Sequence, residues 1–138
     1  MVTVSVKWIE KLQFLGLDAH KHSLVMSSQD EENGIGISPS HLLLLGLGGC
    51  TGYDVVSILL KKRQQLTGME ITVSGESDPE PPHALRQIHL VYRLRGRGLS
   101  EKAVQDAIKL SKTKYCSVGA TLSASAEITH EYVIEEEA

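Results

Sequence analysis

One stretch limits what this chain can fold into: Ser38–Leu66, SPSHLLLLGLGGCTGYDVVSILLKKRQQL. It opens as a helix opens. Ser38 is a capping residue type, and Pro39 suits the first helical position, where a missing N–H costs nothing. Leu42 to Leu45 and Leu47 point around the whole circumference, which predicts burial on every side. Tyr53–Leu66 is amphipathic, with Lys61, Lys62 and Arg63 placed to suit the helix dipole and Gly68 placed to stop the helix. Such a helix is roughly 40 Å long, about the width of a small domain. It is expected to run through the middle of the protein.

Three features conflict with simple helix design. Gly46, Gly48 and Gly49 each cost about 1 kcal/mol relative to Ala in a helix interior. Cys50 follows them directly, and Asp54 stands one turn further on between apolar neighbours. The glycines admit two readings. One is tight packing around a small buried Cys; the other is a helix thinned so that a backbone or a substrate can approach a reactive sulfur.

A chain of 138 residues is long enough for one domain, residues 1–138, with a real core. Aromatic residues make up only 4%, so aliphatic side chains and Ala must build it. The net charge is −3 and the only basic cluster is Lys61–Arg63, which disfavours nucleic acid as a partner. The N-terminal MVTVSVKW has no basic segment followed by an apolar one, and no apolar run approaches the ~20 residues of a membrane span. A cytoplasmic location is expected, where two cysteines are not a permanent staple.

Val2, Val4, Val6 and Trp8 alternate with polar residues as on a half-buried strand. Gln13–Leu17 and Ser23–Met26 read as two more short strands, with a turn near Asp18–Lys21. His20 and His22 share one face if extended, half of a metal site at most, and no third ligand is near in sequence. Residues 27–37 read as a loop. Beyond Gly68, Met69–Ser74 alternates as a strand, and DPEPPHA must be a loop. Ile88, Leu90, Tyr92 and Leu94 then form an inward face, with His89, Arg93 and Arg95 outward. Outward Glu on one of these strands and outward Arg on the other suit antiparallel neighbours with charge pairing.

Ser100 can cap a second helix carrying Ala103, Val104, Ala107, Ile108 and Leu110. Lys112–Tyr115 breaks the pattern, and a third helix is expected to begin near Cys116. Ile128–Ile134 alternates as a last strand, and Glu135–Glu137 reads as a solvated tail. The order is β-β-β-α-β-β-α-α-β, an α+β domain.

The thiols differ in setting. Cys116, near a helix start with Lys112 and Lys114 before it, has what stabilises a thiolate. Cys50 has the opposite: burial and the Asp54 charge both raise a thiol pKa. No CxxC, HExxH or phosphate-binding glycine loop is present, and no metal or cofactor is assigned. His41, His83 and His130 lack metal-ligand spacing. Asp54 has the chemistry of a general base, though a mid-helix Asp more often serves a structural hydrogen bond. Cys50 with Cys116 is the one pair with a plausible shared mechanism.

GLGGCTGYDVVSILLKKR around Cys50 and KYCSVGATL around Cys116 resemble the OsmC/Ohr family, the osmotically inducible protein C and organic hydroperoxide resistance proteins. The element order is similar along essentially the whole chain. Phe14–Gly16, His22 and the CTGYDVVSIL run look closest to a less characterised OsmC-like subgroup. The resemblance implies an intertwined homodimer whose sheets wrap two central helices. It implies a thiol peroxidase, with organic hydroperoxide as substrate. In that chemistry Cys50 becomes a sulfenic acid, and Cys116 resolves it as a disulfide that a dithiol such as dihydrolipoamide reduces. The alternatives are a small-ligand-binding member without catalysis, and a redox sensor.

The pattern departs from the family at the activating pair. Ser40 stands where a Glu is expected, and no Arg precedes Arg63. Lys is not equivalent to Arg in holding a thiolate and a carboxylate together. The N-terminal bases are Lys7, Lys11, Lys21, His20 and His22. His22 is the expected thiolate-activating partner, with Asp54 the second candidate, and Cys50 is expected to have a raised pKa.

Overall fold

A computed structural model describes all residues, Met1–Ala138. The expected order is found, with two three-stranded sheets and three α-helices. The chain divides into two compact units, Met1–Leu43 and Leu44–Ala138.

The first unit is an antiparallel meander of β1 (Ser5–Glu10), β2 (Gln13–Leu17) and β3 (Ser23–Ser27). Lys11 turns the first hairpin at φ 47°, and the Trp8 indole N–H donates to its carbonyl at 2.7 Å. The second turn is organised by Asp18, whose carboxylate accepts the backbone N–H groups of His20 and His22 at 2.8 and 2.9 Å. The two histidines therefore lie in a turn and not on one strand face. Gly36 is required by close approach, since a Cβ there would sit 2.6 Å from the Val25 carbonyl oxygen. β1 corrects the half-buried expectation, because Val6 and Trp8 are 61% and 69% exposed. Extended backbone follows from the β-branched alternation, but nothing in the single chain covers either face.

Helix α1 (Pro39–Lys61) begins at Pro39 as its sequence predicts. It ends earlier than expected. Arg63 adopts the left-handed conformation, φ 59°, and its N–H and that of Gln64 return to the carbonyls of Leu60 and Leu59. Gly68, the expected stop, instead lies inside a strand beside a register shift. α1 is long and apolar enough to cross a membrane by length and composition, contrary to the sequence expectation, and 22% of its most apolar window is buried. Burial on every side is also corrected: Leu47, Val55 and Leu59 are buried, whereas Leu43 and Leu45 are about half exposed.

In the second unit, β4 (Gln65–Ser77) pairs antiparallel with β5 (Leu85–Arg97), and β6 (Glu127–Glu136) adds parallel to β5. Glu70 stands opposite Arg93, the expected antiparallel register. The ion pairs form on the other side of β5, where Arg93 and Arg95 reach Glu135 at 3.5 and 3.8 Å. The acidic end is thus not a free tail. Glu135 and Glu136 belong to β6, and the Glu136 carboxylate accepts the Gly98 N–H at 2.9 Å.

A parallel pair needs a long crossover. It is supplied here by α2 (Glu101–Leu110), a π-helical turn (Ser111–Tyr115) and α3 (Ser117–Leu122). The core joins Leu47, Val55 and Leu59 of α1, the inward face of β5, and Ala103, Val104, Ala107 and Ile108 of α2. Ser100 caps α2 as expected, its Oγ accepting the Ala103 N–H at 3.2 Å. Ser100→Ala is expected to lower stability by roughly 1 kcal/mol, measured by urea unfolding with the slope unchanged.

Candidate active site

Cys50 lies mid-way along α1 and Cys116 is the N-cap of α3; both are free thiols. The fold brings them together. Cys50 Sγ, Cys116 Sγ and a carboxylate oxygen of Asp54 all lie within 4.8 Å of one another. Asp54 joins because residues four apart share a helix face. A single soft cation can reach all three groups, so metals and thiol reagents would compete for the same place.

The acidities run opposite to the sequence expectation. Burial pushes the Cys50 thiol up, but the backbone N–H of Val118, the Cys116 thiol and the Ser117 hydroxyl outweigh it together with the Asp54 charge, and Cys50 is held below the ordinary thiol range. Burial pushes Cys116 up to about 11, helped by the charge and hydrogen bonding of Cys50 and against the Gly119 N–H. The reason is geometric. The start of α3 and its preceding thiol favour the Cys50 thiolate, while Cys116, only 5% exposed, accepts the Gly119 N–H at 3.3 Å and keeps its own proton. The lysines preceding Cys116 serve other groups: Lys112 Nζ donates to the Ile128 carbonyl at 3.4 Å, and Lys114 lies over the Tyr115 ring.

Behind the thiols runs a buried chain of hydroxyls. Tyr92 Oη meets Thr51 Oγ1 at 2.8 Å, Thr51 Oγ1 meets Ser111 Oγ at 2.8 Å, and Ser111 Oγ meets Asp54 Oδ2 at 2.9 Å. Each hydroxyl carries one proton and a carboxylate only accepts. Ser111 Oγ is placed to donate its one proton to either Thr51 Oγ1 or Asp54 Oδ2, so the hydroxyls form a shared network that ends on the carboxylate. Burial raises the Tyr92 phenol, which keeps it a donor at neutral pH. Ser111 is the first residue of the π-helical turn, an irregularity that places its hydroxyl inward.

Two voids flank α1. A cavity of about 170 Å³ is lined by Cys116, Ser111, Tyr92, Lys112 and His130 among others. An open apolar groove of about 890 Å³ runs between α1 and β4, past Leu45, Gly49, Tyr53 and Ile71. The interior glycines divide between the two readings the sequence allows. A Cβ on Gly48 would press Val73 at 3.1 Å, so Gly48 serves packing; one on Gly49 would meet nothing within 4 Å.

A family model described as OsmC-like protein matches residues 29–131. Protein YhfA of Escherichia coli (strain K12) is 39% identical over 129 residues, covering 94% of this chain and 95% of YhfA. The chain belongs to the OsmC-like family. Among solved structures, a hypothetical protein from Aquifex aeolicus VF5 is 28% identical with a TM-score of 0.89, over 100% of this chain and 98% of that one. More distantly, the organic hydroperoxide resistance protein OhrB of Bacillus subtilis shares the fold, with a TM-score of 0.64 at 12% identity, over 96% of this chain and 98% of OhrB.

In this OsmC-like chain three of the four residues singled out from sequence, Cys50, Cys116 and Asp54, form one cluster in the second unit. His22 belongs to the first unit, where its Nδ1 lies 2.7 Å from Asp18 Oδ2 and its side chain is 79% exposed. Sequence reasoning missed Thr51, Tyr92, Ser111, Ser117 and Val118. The one signal for Ser111 is the break in apolar periodicity that it opens; for the others there is none, since their roles arise from contacts across elements. His130, set aside for lack of metal-ligand spacing, lines the cavity with its ring edge-on to Tyr92, centroids 6.2 Å apart.

The thiolate is the nucleophile. Iodoacetamide at neutral pH is therefore expected to modify Cys50 first, with a rate that rises with pH and has its midpoint below that of an ordinary free thiol. Cys116 is expected to resist until near pH 11. Cys116→Ala removes an S–H donor and should move the Cys50 midpoint up. Mass-resolved alkylation across pH checks both, and a Cys50 midpoint at or above that of a free thiol would refute the assignment.

Proposed function

We propose that this OsmC-like protein is a thiol peroxidase for organic hydroperoxides, with Cys50 as nucleophile and Cys116 as resolving thiol. The observation that carries the reading is a pair of adjacent free thiols with opposite acidity shifts, one lowered and partly exposed, the other raised and buried. The Cys50 thiolate attacks the distal oxygen of the peroxide, the O–O bond breaks, and the alkoxide leaves as alcohol after taking a proton. Cys50 is then a sulfenic acid. Cys116 displaces its hydroxyl as water, forming the Cys50–Cys116 disulfide, and a small dithiol returns both thiols. The organic hydroperoxide resistance proteins of the same fold support this reaction class.

The preference for an organic peroxide follows from the surround. Cys50 is partly buried and packs against the apolar core, as do Leu44, Val118 and Leu122. An alkyl tail gains roughly 25 cal/mol per Å² of surface it buries there, and hydrogen peroxide gains none. The missing Arg does not remove the activation, because Val118, Ser117 and Cys116 supply donors to the sulfur.

The working form in this reading is a cytoplasmic homodimer. Leu45, Tyr53 and Leu60 of α1 are each more than half exposed beside the open groove, an unpartnered apolar face that a second copy can cover. Free thiols suit a reducing compartment.

Two measurements test the reading. With excess dithiol, the purified protein should turn over cumene hydroperoxide at least ~10-fold faster than hydrogen peroxide, since ~1.4 kcal/mol of tail burial suffices for that ratio. Cys50→Ser should be inactive. A wild-type protein with no peroxide-dependent dithiol oxidation would sink the proposal and favour a ligand-binding role. Sedimentation velocity at micromolar concentration should give twice the chain mass, and a monomer would reject the dimer.

A further inference from the structure

Asp54 has no evident place in the first chemical step. Its charge opposes ionisation of both thiols, which hinders a nucleophile. It takes part in none of the chain's ion pairs. Yet it is held firmly. Ser111, fully buried, donates to Oδ2 at 2.9 Å and is itself fixed by Thr51 and Tyr92. An Asp on a helix face turned outward would need no such support. The arrangement fixes a carboxylate within 4.8 Å of two sulfurs, held through Oδ2 by Ser111.

The second step has a need that the first does not. While Cys50 is a thiolate, the Cys116 S–H donates to it. Once Cys50 carries oxygen, that acceptor is gone, and Cys116 must lose its proton before its sulfur can attack. The cluster holds one other proton acceptor beside it, the Asp54 carboxylate.

We propose that Asp54 is the general base of the resolving step, taking the Sγ proton of Cys116 as Cys116 attacks Cys50. The Cys116 electron pair forms the S–S bond, the Cys50 S–O bond breaks, and the departing hydroxide takes the proton from Asp54 and leaves as water. Cys116 is oxidised and the sulfenic sulfur reduced, so no outside electron donor enters. Ser111, Thr51 and Tyr92 are positioning residues for the carboxylate. This assignment rests on the peroxidase reading for its substrate, but the proton transfer is required whenever Cys116 attacks a modified Cys50.

That generality supplies a peroxide-free test. With one equivalent of 5,5′-dithiobis(2-nitrobenzoate), Cys50 forms a mixed disulfide and expels one thionitrobenzoate. Cys116 then attacks the Cys50 sulfur, closes the Cys50–Cys116 disulfide and expels the second. Stopped-flow absorbance resolves the two releases, and Cys116→Ser should show only the first. In Asp54→Asn the first release should be as fast as in wild type or faster, because a charge opposing the Cys50 thiolate is gone. The second should slow by roughly 10²–10⁴-fold, the contribution of a positioned base. Ser111→Ala, which loosens the carboxylate without removing it, should slow the second release less, and Asp54→Glu should restore part of it. A second release at the wild-type rate in Asp54→Asn, or both releases slowed by the same factor, overturns the proposal. So does a second release slowed by His130→Gln in place of Asp54→Asn, which would hand the role to the imidazole lining the cavity beside Cys116. Failure of the peroxidase reading is distinct: organic hydroperoxide would then give neither sulfenic acid nor disulfide in wild type, while the two-phase release remained.

Discussion

The buried hydroxyl chain from Tyr92 to Asp54 is the interaction on which the site depends. It joins β5, α1 and the π-helical turn at one point inside an otherwise aliphatic core. A buried hydroxyl left without a partner costs about 1–3 kcal/mol, so the three elements can meet only where every member of the chain is satisfied. That requirement sets the rotation of α1 about its axis. Given that rotation, Leu47, Val55 and Leu59 enter the core, and Cys50 and Asp54 turn toward α3. The π-helical turn follows from the same demand, since it spends one extra residue to bring Ser111 inward and leaves Cys116 to cap α3.

Chemistry is then divided between two like residues by their surroundings alone. Both are thiols, both carry the repulsion of Asp54, and both pay for burial. Cys50 keeps partial exposure and gains donors from the start of α3, while Cys116 is enclosed and becomes one of those donors. The asymmetry would suit the proposed two-step thiol reaction, with the more acidic sulfur attacking and the less acidic one waiting protonated. The same arrangement answers the absence of an Arg in the N-terminal third. Backbone and side-chain groups at the start of α3 lower the Cys50 thiol without a net charge.

Much of the architecture is legible in local pattern. Pro39 and Ser100 mark two helix starts, the prolines of DPEPPHA mark the β4–β5 connection, and the alternation of Ile88–Leu94 and Ile128–Ile134 marks two strands. The errors share a cause. Gly68 looks like the end of α1, but Arg63 takes the left-handed position, and the choice turns on where β4 must begin pairing with β5. Glu135 and Glu136 look like a solvated tail, but arginines of β5 and the Gly98 N–H hold them. Leu43 and Leu45, together with Val6 and Trp8, look buried and are exposed in the single chain. Periodicity reports that a face is apolar, not what covers it.

The sequence by itself determined the order of elements, the family, and the presence of two cysteines and one aspartate with the capacity for thiol and acid–base chemistry. Those are properties of residue type and short-range spacing, and they survive without knowledge of any contact. Tertiary structure decided which thiol is the more acidic and where Asp54 belongs. Sequence proximity gave the helix start and two lysines to Cys116; in space the Gly119 N–H stays with Cys116, Val118 and Ser117 favour the Cys50 thiolate, and the lysines turn to a carbonyl and a ring. A thiol's acidity depends on donors and charges within a few ångströms, and here those arrive from residues far apart in the chain.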